Sequence, residues 1–148
     1  MLVGAIVCIP GLALRAVASG YVQKNEQLAI GGPYAYTRNP LYLGSLILAS
    51  GFAVAARSWW IALASALIFF AVYLPVIHSE EAFLRSRFPE FEEYARRVPR
   101  FVPRLIGTNA ATGAFSRNLY WQHREYNALL GAGAMMAALA AKLLWFSR

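Results

Sequence analysis

"LYLGSLILASGFAVAARSWWIALASALIFFAVYLPVI", residues 41–77, carries one charged side chain, Arg57, in thirty-seven positions. A helix needs roughly 20 apolar residues to cross a bilayer. This run therefore has room for two crossings that meet at Ala56-Arg57-Ser58. Apolar segments on either side, at about 2–17 and 128–146, add two more helices. Composition points the same way, with 59% hydrophobic and 14% charged residues, against about 25% charged in soluble domains. The expectation is an all-α integral membrane protein, a single domain over residues 1–148. It has about four transmembrane helices, at about 2–17, 41–56, 59–78 and 128–146. The middle pair makes a tight helical hairpin, followed by a cytoplasmic amphipathic segment.

Charge sets an expected orientation. Fourteen Lys and Arg stand against seven glutamates, for a net charge of +7. In so apolar a chain this excess fits membrane topology and anionic headgroups better than nucleic acid. Eight arginines fall between residues 79 and 127, while Arg15, Lys24 and Arg38 lie in or beside the first loop. The opposite face would carry only Arg57, Lys142 and Arg148. The positive-inside rule places both polar segments in the cytoplasm. Trp59, Trp60, Tyr120, Trp121 and Trp145 sit at segment ends, where amphipathic rings settle among headgroups. The first helix, which Pro10-Gly11 should kink, lacks a preceding cation and has Arg15 where a cleavage site would be small and neutral. It reads as retained. The single cysteine, Cys8, has no pairing partner and no assigned role.

Three polar clusters could carry chemistry. "GGPYAYTRNPLYLGS", 31–45, combines a Gly-Gly-Pro turn with Asn39-Pro40 at a helix start, whose free N–H groups form a positive dipole end. As plain structure, the stretch is simply the entry to a membrane helix, with Tyr34, Tyr36 and Tyr42 as interfacial anchors. "HSEE", 78–81, places two carboxylates at the end of an apolar helix, where they need cationic company; Arg85, four residues beyond Glu81, could supply it. Two glutamates and one histidine make no recognisable metal spacing, so no metal is expected. "RRVPRFVPR", 96–104, offers headgroup contacts or, through Arg97 or Arg100, a bidentate grip on an anion.

"FPEFEEYARRVPR", 88–100, reads as a short helix with Pro89 at its first position, glutamates in the first turn, arginines in the last and Pro99 as its stop. Leu84, Phe88, Phe91, Ala95 and Val98 recur at helical spacing and give one face to lie on the bundle or on the bilayer surface. "TNAATGAFS", 108–116, reads as a loop. "GAGAMM", 131–136, has no preceding strand and reads as small-residue helix packing rather than a nucleotide loop.

Taken as an ordered set, these stretches resemble the isoprenylcysteine carboxyl methyltransferase and phospholipid methyltransferase family. The matching residues are Gly32-Pro33-Tyr34, Arg38-Asn39-Pro40, Tyr42, Gly44, Glu80-Glu81, Leu84, Tyr94 and Val98-Pro99-Arg100, with Arg15 after the first helix. The resemblance covers about residues 11–103. Asn39 stands where many members have histidine; it can hydrogen-bond but cannot titrate near neutrality.

The resemblance implies methyl transfer from S-adenosylmethionine, bound at the cytoplasmic face without a Rossmann fold. Tyr34, Asn39, Pro40, Tyr42 and Gly44 would form one half of a cofactor clasp, and His78, Glu80 and Glu81 the other. Tyr94, Arg97, Pro99 and Arg100 would close it, an arginine taking the cofactor carboxylate and the glutamates its ammonium. Arg38, Glu80 and Glu81 are the expected catalytic residues: Arg38 orients the acceptor, and a glutamate or His78 takes a proton from an ammonium acceptor. The acceptor implied is lipophilic, either a prenylcysteine carboxylate or a phospholipid amine. Two other readings stand beside this one. A membrane NADPH-dependent reductase of related architecture is disfavoured by a glutamate pair near a 2′-phosphate. A non-catalytic membrane scaffold would leave three polar clusters without a purpose.

Overall fold

The structure, a computed structural model, describes residues 1–22, 27–107 and 114–146; Lys24, Arg148 and most of the 108–116 loop fall outside these. All regular structure among the described residues is helical. Two long helices open the chain, α1 (Leu2–Ser19) and α2 (Pro40–Ala56). Their contact is made by glycines seven residues apart. Gly4 of α1 lies over Gly51 and Ala55, and Gly11 over Gly44 and Leu48, so the helices run antiparallel. A Cβ on Gly4 would come within 2.4 Å of the Ala55 backbone nitrogen. Backbones this close gain dispersion contacts over their whole length. Cys8, Leu48 and Ala132 are buried together beside this seam.

Pro40 opens α2 at the position where a missing N–H costs nothing. Arg57 ends it in a left-handed conformation (φ 51°), and the turn leads at once into α3 (Trp59–Ile68). The helix continues through one wide π turn, Phe69–Tyr73, into α4 (Leu74–Arg87). Pro75 comes two residues after Tyr73, in the first turn of α4, and has no N–H to donate; the wide turn before it relieves both the lost bond and the ring clash. The bulge also aims two rings at other elements, Tyr73 against Tyr42 and Phe69 against Phe101.

Two helices, Leu2–Ser19 and Trp59–Arg87, are long and apolar enough to cross a membrane. At about 1.5 Å per residue the 29-residue helix exceeds a 30 Å hydrocarbon core, so its polar end would stand clear of the lipid. Its large side chains, among them Trp59, Trp60, Leu67 and Phe70, face outward. The α2 helix, at 17 residues, is shorter. The last helix, α7 (Tyr126–Phe146), has 21 residues.

After α4 the chain turns back through α5 (Phe91–Arg97). This helix starts two residues later than the sequence suggests: Pro89 lies in the preceding turn, and Glu90 is the cap. Val98 is extended, as a residue before proline must be, and ends the helix. Of the two settings open to its apolar face, the bundle takes at least Phe91 and Val98, which are fully buried. A short helix, α6 (Arg117–Gln122), precedes α7 and is capped by the Ser116 hydroxyl. The glycines of "GAGAMM" depart from expectation. Gly131 and Gly133 have nothing within 4 Å of where a Cβ would lie, while Ala132 between them is buried. The close glycine packing belongs to α1 and α2 instead.

Candidate functional site

The segment before α2 is built to be held. Gly32 has φ +55°, and a Cβ there would strike the Tyr21 ring at 2.6 Å. It opens a single 3₁₀ turn, Gly32–Ala35, that buries Tyr34. Residues 36–39 then run beside residues 99–104, stitched by main-chain bonds from Arg38 N to Pro99 O (2.9 Å) and from Arg104 N to Tyr36 O (3.1 Å). The buried Thr37 hydroxyl reaches the carbonyls of Arg100 and Phe101 at 3.0 and 3.2 Å. The Tyr94 hydroxyl donates to Tyr34 O at 2.8 Å. Burial pushes the Tyr94 phenol above its ordinary pKa, Arg38 opposing and Glu81 adding to the shift, so it stays protonated as a donor.

Glu81 is the centre of the cluster. Its residue is 4% exposed, and a carboxylate so placed needs several partners. Arg100 Nη2 and Nε donate to its two oxygens at 2.7 and 3.2 Å. Arg38 Nη1 stands 3.5 Å from Oε1. Asn39 Nδ2 donates to Oε1 at 3.3 Å and to the Arg100 carbonyl at 3.2 Å. His78 Nε2 lies 3.3 Å from Arg100 Nη1. Residues 38–39, 78–81 and 100 thus converge, though 19 to 43 positions separate Glu81 from its partners.

The glutamate pair divides into unlike halves. Glu81 is already matched by two guanidiniums. Glu80 is exposed and faces the Tyr42 hydroxyl. Two cations against one buried anion leave positive charge in excess, and the buried Arg38 Nε has no hydrogen-bond partner among the described residues. The arrangement can accept an anionic group at Arg38 and a cationic one at Glu80. Arg85, the partner expected for Glu81, pairs with Glu92 instead, and its guanidinium also lies over the Phe91 ring at 5.6 Å. Arg97 stands apart from the cluster, paired with Glu93 on an exposed face. Tyr34, Pro40 and Pro99 belong to the converging segments. Gly44 meets the stem of Arg15, whose Cγ would lie 2.6 Å from an added Cβ.

A groove of about 450 Å³ runs along this segment between Leu14, Val17, Gly32, Pro33, Tyr36 and Leu43; its walls are almost wholly apolar. The described residues hold no group of three His, Cys, Asp or Glu side chains placed for a metal ion. Two contributions escaped the sequence reading. Thr37 sits unremarked inside "TRNP", and its stitching depends on a segment sixty residues away. Glu125, which pairs with Arg15 at 2.6 Å, is the one acidic residue after Glu93. That solitary carboxylate among arginines was the available signal.

Comparison with known proteins gives this geometry a context. The cobalt-zinc-cadmium resistance protein CzcN of Cupriavidus metallidurans is 45% identical over 83 residues, covering 56% of this chain and 38% of that protein. The nickel-cobalt-cadmium resistance protein NccN of Alcaligenes xylosoxydans xylosoxydans is 39% identical over 103 residues, 66% of this chain and 48% of that protein. The protein-S-isoprenylcysteine O-methyltransferase of Schizosaccharomyces pombe is 30% identical over 94 residues, 63% of this chain and 40% of the enzyme. The matched stretches therefore span less than half the length of these relatives. No solved structure matches. The phospholipid methyltransferase model matches residues 11–90, more than half of the chain, from Gly11 through Arg38, Asn39, Glu80 and Glu81. By that match the chain belongs to the phospholipid methyltransferase family.

Proposed function

We propose that this protein transfers a methyl group from S-adenosylmethionine to a lipid or lipid-like acceptor at the cytoplasmic boundary of a membrane. The observation that carries the reading is the convergence of Arg38, Asn39 and Arg100 on Glu81, beside an exposed Glu80. Family membership adds the reaction class, and the outward apolar faces of α1 and of the helix Trp59–Arg87 support a membrane setting. On this reading the 148 residues act as one domain, α2 and α3 form a membrane hairpin, and α7 is a fourth crossing.

The donor supplies an electrophilic methyl carbon on a sulfonium, and it also bears an ammonium and a carboxylate. The residues present fit such a molecule. Glu80 makes no ion pair among the described residues and meets the ammonium; Arg38, with a spare buried Nε, meets a carboxylate or orients an anionic acceptor. Arg100 keeps donor capacity beyond its bonds to Glu81 and His78. Glu81 acts through these arginines, holding both guanidiniums in place. Asn39 ties Glu81 to the Arg100 carbonyl and does so without titrating. Tyr42, only partly buried, provides a ring face for the adenosine, and the apolar groove beside Gly32-Pro33 gives a lipophilic tail a path.

In-line displacement needs alignment and exclusion of water more than acid–base help. An acceptor carboxylate requires no base; an acceptor ammonium would lose its proton to Glu80 or His78, the exposed groups at the cluster. Calorimetry on protein in lipid nanodiscs tests the proposal. The native chain should bind S-adenosylhomocysteine, and Glu80→Gln should weaken binding about tenfold, the scale of one charge-assisted hydrogen bond. Absence of binding by the native chain in several lipids would end this reading.

A further inference from the structure

Beyond the family match, the chain folds back onto its first helix. Ser116 N bonds Gly20 O at 3.0 Å, and His123 Nδ1 lies 3.1 Å from Ser19 O. Arg124 then takes a left-handed conformation (φ 52°) and redirects the chain from α6 into α7. The residue this turn presents is Glu125. Its carboxylate Oε1 meets Arg15 Nε at 2.6 Å, with side-chain exposures of only 10% and 24%. Neither atom has a hydrogen-bond partner among the described residues, so the contact is an ion pair by proximity and charge.

The other end of the Arg15 guanidinium grips α2. Nη1 donates to the Ser45 hydroxyl at 2.5 Å and to the Leu41 carbonyl at 3.5 Å. The aliphatic stem lies where a side chain on Gly44 would be. Arg15 is thus clamped between a carboxylate from outside the family segment and the first turns of α2. That helix begins directly after Arg38 and Asn39, which hold Glu81.

We propose that Glu125 is a positioning residue: its carboxylate pins Arg15 against the start of α2 and so sets where Arg38 and Asn39 stand. Two guanidinium ends are needed for this. Without the carboxylate, Arg15 keeps Ser45 but loses its fixed point on the opposite wall, and a long side chain with one anchor no longer defines a distance. The functional consequence rests on the methyltransferase reading; the mechanical one does not.

The experiment compares native protein with Glu125→Gln and Glu125→Asp in nanodiscs, by hydrogen exchange and by calorimetry with S-adenosylhomocysteine. In Glu125→Gln, amides 43–48 of α2 and the Arg38 amide should exchange about tenfold faster, since loss of a partly buried ion pair falls between the exposed and the fully buried limits. Those of α4 and α5 should stay as in the native chain. Affinity should fall about tenfold, and Glu125→Asp should recover most of both. Ser45→Ala, which removes the other anchor, should give the same local pattern if Glu125→Gln fails to assemble. Unchanged exchange at 43–48, or uniformly faster exchange along the whole chain, overturns the proposal. So does local loosening with unaltered affinity. Native protein that binds no S-adenosylhomocysteine removes the methyltransferase reading, while the exchange comparison still decides whether Glu125 sets α2.

Discussion

Neutralising Glu81 should unfold this protein at a markedly lower temperature, while neutralising its neighbour Glu80 should not. In Glu81→Gln the side chain keeps its size but turns an NH2 group toward a guanidinium. The two cations it held, Arg38 and Arg100, then face each other uncompensated. Removing one partner of a buried ion pair costs about 3–5 kcal/mol. The side chain of Arg100 is 35% exposed and can recover some hydration, whereas Arg38 at 14% cannot. The lower end, about 3 kcal/mol, is therefore expected. For a chain of this length that lowers the midpoint by about 6–12 °C. Glu80 is exposed, lies by the Tyr42 hydroxyl and makes no ion pair among the described residues, so Glu80→Gln should stay within about 0.5 kcal/mol of native. Thermal unfolding of the three proteins in one detergent, followed by tryptophan fluorescence, makes the comparison. Equal shifts for the two variants, or a larger one for Glu80→Gln, would refute the division of the pair into a structural and a free carboxylate.

Two further outcomes follow from the geometry. Gly4→Ala would press a methyl group onto the Ala55 and Gly51 backbones and should destabilise by about 1–3 kcal/mol. Gly131→Ala and Gly133→Ala meet open space and should be neutral or up to about 1 kcal/mol stabilising, all read by the same unfolding assay. The Tyr94 phenol, raised by burial, binds its proton more tightly folded than unfolded. Its contribution is thus complete below the ordinary tyrosine pKa of about 10 and fades as pH rises above it. Tyr94→Phe should cost about 1 kcal/mol at neutral pH through the lost bond to Tyr34, and should flatten the alkaline fall in a stability-versus-pH series.

Much of this chain was legible one segment at a time. Apolar run length, Pro40 at a helix start and the charge order of residues 90–97 marked where the helices lie, because each reports a local cost that no distant contact can change. The motif residues Arg38, Asn39, Glu80, Glu81 and Arg100 were also identifiable in order. Their pairing was not. Sequence spacing offered Arg85 to Glu81, but the shape of the turn at 88–90 gave Arg85 to Glu92 and brought Arg100 to Glu81 across nineteen residues. Likewise "GAGAMM" advertised close helix packing, whereas the glycines that meet are Gly4 and Gly11 with Gly51 and Gly44.

Composition and periodicity therefore determined that this chain is helical, lipid-compatible and polar at two loops, since solvent preference and backbone propensity act residue by residue. The tertiary structure alone decided which carboxylate is enclosed and which is free, and that Glu125 reaches Arg15. Those outcomes depend on where separated segments come to lie, and a buried charge accepts whichever counter-charge the folded backbone delivers within about 3–4 Å.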